Sequence, residues 1–117
     1  KIFFVKNQKL TGQFIINNIS NYIVDYVDYY LVNNNITDIE INKMFEKCKS
    51  ILRKYTAIGN ITLDTALVNK NQSMISDVFN MLEEIGEKFN IKFDYSRISA
   101  SHFSSVRIFL QLLCSLT

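Results

Sequence analysis

Four stretches of this chain repeat their apolar residues at intervals of three and four, the signature of a helix with one buried face. The first, residues 13–32, carries Phe14, Ile15, Ile19, Tyr22, Ile23, Tyr26, Val27 and Tyr30. The second, residues 38–55, carries Ile41, Met44, Phe45, Cys48, Ile51, Leu52 and Tyr55. A third opens at Ser73 and buries Ile75, Val78, Phe79, Leu82, Ile85 and Phe89; a fourth runs through Phe103, Val106, Phe109, Leu110, Leu113 and Leu116. None of these faces can be left in water, so the stripes predict an all-α chain of four main helices packed on one another. The β-branched and aromatic run at residues 2–5 is where β-structure is expected.

The boundaries have local causes. Asn33, Asn34 and Asn35 compete with helical hydrogen bonding and end the first stripe. Thr37-Asp38-Ile39-Glu40 reads as a capping box that opens the second helix, and Gly59 lies just past its end, where a positive φ costs glycine nothing. Residues 60–68 read as a strand or as an extended loop pinned by Ile61, Leu63 and Leu67, and residues 90–95 alternate like a strand. Gly86 sits inside the third helix at a cost of about 1 kcal/mol relative to Ala, which predicts close packing against another helix. The inward faces predict a core of Phe45, Leu52, Leu63, Val78, Leu82, Phe89, Val106 and Leu110.

Composition narrows the function. The chain's 117 residues, 48% hydrophobic and 21% charged, fit a single globular domain. Thirteen basic and eleven acidic residues are scattered without a basic block, which argues against nucleic acid. No apolar run is long enough to cross a bilayer, and the first residues lack the apolar core of a signal peptide, so the expected setting is cytoplasmic without membrane insertion. The first residue is Lys rather than Met, which fits a piece of a longer protein. Cys48 and Cys114 lie far apart inside apolar patterns and lack zinc spacing, and His102 is the only histidine, so no metal site is expected. A Ser73–His102 pair lacks a third group and a nucleophile elbow, so no catalytic residue is assigned. Five of six tyrosines fall between Tyr22 and Tyr55; rings packed on neighbouring helices explain them more simply than a partner surface.

Five segments, in order, carry a resemblance. A helix with a buried face, Ile41 to Tyr55, precedes I-T-x-D-x-x-L-V at Ile61 to Val68. Next come Ser73-Met74, then L-E-E-I-G-E-K-F-N-I at Leu82 to Ile91, and S-H-F-S-S-V at Ser101 to Val106. This order resembles the acyl and peptidyl carrier proteins over roughly residues 38–117. The resemblance implies a carrier-protein-like four-helix bundle at residues 37–117, preceded by an N-terminal extension at 1–36 with a helix at about 13–32. It further implies 4'-phosphopantetheine, donated by coenzyme A, on Ser73 at the start of the second carrier helix. Met74, Asp77, Glu83, Glu84 and Glu87 would then meet the phosphopantetheinyl transferase and the acyl- or aminoacyl-loading and processing enzymes of fatty acid, polyketide or nonribosomal peptide type metabolism. The domain would carry a thioester and catalyse nothing itself.

Asn71-Gln72-Ser73-Met74 departs from the family's Asp-Ser-Leu, since Gln72 removes a carboxylate and Met74 replaces Leu. Read without the resemblance, Ser73 is a plain helix N-cap and the acids are a solvated helix face. An alternative class is an all-helical, Bcl-2-like interaction protein that binds a partner helix and is not an enzyme, because Val78, Leu82, Ile85, Gly86, Glu87 and Phe89 resemble the BH3 pattern of that family.

Overall fold

The computed structural model describes residues 29–33, 35–69 and 72–117. The predicted helix at 13–32 lies outside these residues up to position 28, and its end is corrected: residues 29–33 are not helical. They are tied down instead, with the Tyr30 amide donating to the Arg97 carbonyl at 3.0 Å and the Tyr30 hydroxyl accepting from the Asp94 amide at 2.7 Å.

Helix α1 spans Asp38–Tyr55, as the stripe predicts. The Thr37 hydroxyl accepts from the Glu40 amide at 3.2 Å, half of the expected capping box, and Asp38 and Glu40 in the first turn suit the helix dipole. Ile41, Met44, Phe45, Cys48, Ile51 and Leu52 make its buried face. Gly59 has no positive φ, so its expected role at a left-handed position is not the observed one.

A loop of some twenty residues follows. It holds a minimal hairpin, β1 (Val68–Asn69) against β2 (Gln72–Ser73), antiparallel with Val68 opposite Ser73. β-structure is therefore not confined to the N-terminal residues, although residues 61–67 and 91–95 form no strand. The loop is structural because it supplies acceptors to the start of the last helix. The carbonyls of Thr65 and Leu63 accept from the Val106 and Arg107 amides at 2.8 and 2.9 Å, and Ser105 Oγ accepts from Ile108 at 3.1 Å. The unpaired donors at the start of α3 (Val106–Leu116) are thus satisfied, two of them by a segment some forty residues upstream. Ile61 and Leu67 are buried beneath it.

Helix α2 spans Val78–Phe89, and two 3-10 turns, Tyr95–Arg97 and Ala100–Phe103, connect it to α3. Helix α1 packs against both α2 and α3. The core contains six of the eight expected residues; Leu63 and Phe89 are only partly buried, and Met81, Phe103 and Phe109 are fully buried in addition. Three α-helices and a two-stranded hairpin thus make up the regular structure of the described residues, which is mostly helical.

Gly86 is needed for close approach, but to its own chain rather than to another helix. Asn90 takes a left-handed conformation (φ 56°), and the amides of Asn90 and Ile91 both donate to the Gly86 carbonyl. This turn brings the Ile91 carbonyl back over Gly86, where an added Cβ would lie 2.6 Å from it. An asparagine at this position is the usual non-glycine solution, since its short polar side chain tolerates that backbone.

Candidate functional site

Ser73 does not open α2. It lies in β2, four residues before the N-cap, and its side chain is half-buried. The Ser73 hydroxyl closes a local ring with Ile75, donating to its carbonyl and accepting from its amide, both at 3.1 Å. The reason the helix starts late is that residues 73–76 are spent elsewhere. The Met74 amide donates to Leu67 at 2.9 Å, the Ser76 amide to Tyr55 at 2.7 Å, and Ile75 pairs with Thr56 while its side chain is buried. Backbone donors bonded back across the loop leave this stretch no helical pattern of its own.

The N-cap is Asp77. Its carboxylate accepts from the Asn80 amide at 3.1 Å and from the Asn80 side chain at 2.7 Å. A carboxylate at a helix N-terminus is favoured by the dipole as well as by the capping bond. Between Ser73 and this cap lies Ser76, an exposed residue whose hydroxyl donates to the Tyr55 carbonyl at 3.0 Å. Sequence reasoning passed over Ser76, although a Ser-Asp pair directly ahead of Val78, Met81, Leu82 and Ile85 is the stronger helix-start signal.

Two of the three acids on α2 are engaged within the domain. Glu84 accepts from Lys54 Nζ and from the Tyr55 hydroxyl, each at 2.8 Å, joining α1 to α2. The Lys54 bond, reinforced by the phenol, holds the Glu84 carboxyl below its ordinary pKa. Glu83 accepts from the Tyr95 hydroxyl, and burial followed by that bond pushes the phenol's pKa up. Glu87 is exposed and makes no side-chain hydrogen bond or ion pair among the described residues. Glu83 and Glu87 flank a surface groove of about 790 Å³ floored by Phe79, Ile91, Phe93 and Tyr95; Ser73, Met74 and Asp77 do not line it. The structure therefore brings Ser73, Met74 and Asp77 together on one loop and leaves Glu83, Glu84 and Glu87 on the helix beyond.

Burial pushes the Cys48 thiol up to about 12 and raises that of Cys114, so both stay protonated near neutral pH as small apolar groups. Among the described residues no group of three or more His, Cys, Asp or Glu could hold a metal ion, and no helix is long and apolar enough to cross a membrane. Val78, Leu82 and Ile85, three of the apolar residues of the BH3-like pattern, are fully buried in the domain's own core. No protein-family model, curated protein or solved structure matches this chain.

Proposed function

We propose that this chain is a non-catalytic carrier-type domain that holds an acyl or aminoacyl thioester on a 4'-phosphopantetheine arm at Ser73. The observation that carries the reading is the element order: α1, a long anchored loop bearing the serine, α2, short 3-10 turns where a carrier has its third helix, then α3. In that reading the four-helix carrier arrangement counts the turns at residues 95–103 as the third member. The loop is fastened at Leu63, Thr65, Leu67 and Tyr55, so a group attached near position 73 is held at the head of α2 while the arm itself stays mobile. Tethering of this kind raises the local concentration of the thioester at a partner enzyme.

Attachment requires the Ser73 oxygen to bond to the coenzyme's phosphorus, with the diphosphate bond breaking, adenosine 3',5'-bisphosphate leaving and the hydroxyl proton passing to the transferase. The two bonds to Ile75 must yield first, a cost of about 1–3 kcal/mol for two ordinary hydrogen bonds. A transferase that binds the loop can supply that much. The test is intact-mass analysis after incubation with coenzyme A, magnesium and a broad-specificity phosphopantetheinyl transferase, followed by peptide mapping. The wild type should gain one arm and Ser73→Ala none. An arm mapped to Ser76, or no arm in wild type and Gln72→Asp alike while a control carrier is converted, refutes the assignment.

A further inference from the structure

We propose that His102 is an acid-sensitive latch: neutral, it fastens residues 29–32 to the second 3-10 turn, and on protonation it lets them go. The chain's only histidine is buried to 2% exposure, and both of its ring nitrogens are committed. Nδ1 faces the Ser99 amide at 3.0 Å and so must accept; Nε2 faces the Tyr30 carbonyl at 2.9 Å and so must carry the hydrogen. One neutral tautomer satisfies both contacts. The link to Tyr30 spans 72 residues of sequence, and it closes beside the other Tyr30 anchors, the Arg97 carbonyl and the Asp94 amide.

A second proton would have to sit on Nδ1, pointing at the Ser99 N–H, so one hydrogen bond becomes a contact between two donors. Among the described residues, the ionisable groups of the adjoining segments offer no relief. Arg97 lies over the Tyr30 ring at 4.3 Å, Asp94 is bonded to Ser96, and Arg107 pairs with Asp38. Among the described residues no carboxylate pairs with the imidazole. Burial pushes its pKa below the ordinary histidine value, a shift opposed by donation to the Tyr30 carbonyl. A ring that takes the proton therefore has to leave its site for water. Because its Nε2–H is what grips Tyr30, leaving breaks that bond as well. The folded state prefers the neutral ring, so the latch is closed above the unfolded histidine pKa of about 6.5 and opens as pH falls through the lower folded value.

The experiment is amide hydrogen exchange of the whole chain followed by NMR from about pH 7.5 to about 4.5, corrected for the intrinsic rate, in wild type and His102→Asn. Asparagine can still accept from Ser99 but does not titrate and cannot reach Tyr30. Wild-type protection at Ser99 and Tyr30 should fall by about tenfold through the histidine transition while the amide of Leu82 keeps its protection, and the variant should show a weak, pH-independent Tyr30 amide. Equal pH dependence in His102→Asn overturns the proposal. Should that variant not fold, ring nitrogen shifts of the wild type decide: an Nε2–H tautomer whose midpoint coincides with the amide changes supports the latch. A ring that titrates while Ser99 and Tyr30 keep their protection overturns it.

Discussion

Replacing Gly86 by alanine sets two effects of opposite sign against each other, and the structure says which wins. Inside a helix the change should help, because alanine is favoured over glycine by about 1 kcal/mol. At this position the new Cβ would stand 2.6 Å from the Ile91 carbonyl oxygen and 3.7 Å from the Phe93 ring. The obstacle is backbone, and that backbone is fixed at both sides: Ile91 donates to the Gly86 carbonyl at 2.9 Å, and Phe93 is buried in the core. Overpacking of this kind costs about 1–3 kcal/mol, and loosening the Ile91 bond adds about 1 kcal/mol. After the propensity gain is subtracted, Gly86→Ala should destabilise the domain by about 1–3 kcal/mol, lowering Tm by roughly 4 °C for each kcal/mol. Urea and thermal unfolding followed by far-UV circular dichroism would measure it. Gly59 supplies the control, since a Cβ there meets nothing within 4 Å and its φ is not positive, so Gly59→Ala should be neutral or stabilising by up to about 1 kcal/mol. A Gly86→Ala protein as stable as wild type, or more so, would mean that the chain does not return over α2 as described.

Asp77→Ala should cost about 1 kcal/mol through loss of the α2 cap, with Asp77→Asn largely restoring it in the same unfolding assay; no change on Asp77→Ala would move the helix start elsewhere. The Glu84 carboxyl is held low by Lys54 and Tyr55, so its contribution is present above the unfolded carboxyl value of about 4.3 and lost as pH falls through the lower folded one. The Tm gap between wild type and Glu84→Gln should therefore be widest near neutral pH and close in acid, whereas a gap independent of pH would exclude the charged contact as its source.

What the sequence made legible was whatever depended on neighbours a few residues apart. Helix α1 runs from Asp38 to Tyr55 because its apolar spacing, its Thr37 cap and its acidic first turn all lie within one continuous stretch. Six of the eight expected core residues are buried for the same reason. What escaped notice was fixed by partners distant in sequence. Nothing near residues 29–32 says that they leave the helical pattern, because the competing bonds come from Asp94, Arg97 and His102. Gly86 looked like a helix contact because periodicity cannot show that Asn90 turns the chain back.

Ser73 shows how the two levels compete. A serine ahead of an amphipathic stripe is a good local N-cap, and extending α2 back to it would add about one helical turn. That turn would have to give up the Met74 bond to Leu67, both Ser76 bonds to Tyr55, and the pairing of Ile75 with Thr56. It would also rotate Ile75, at 5% exposure, away from its place in the core. Burying an isoleucine contributes about 1.5–3 kcal/mol, more than the cap at about 1 kcal/mol, so the helix starts where Asp77 can cap it without disturbing Ile75. The same anchoring decides how a modifying enzyme would meet Ser73. If Ser73 is the attachment site proposed above, the enzyme would find a serine on a tied loop, four residues ahead of the α2 cap, and would have to open the Ser73–Ile75 ring itself. Loop substitutions that weaken the ring without moving Ile75 should therefore change the rate of arm attachment more than they change the stability of the domain.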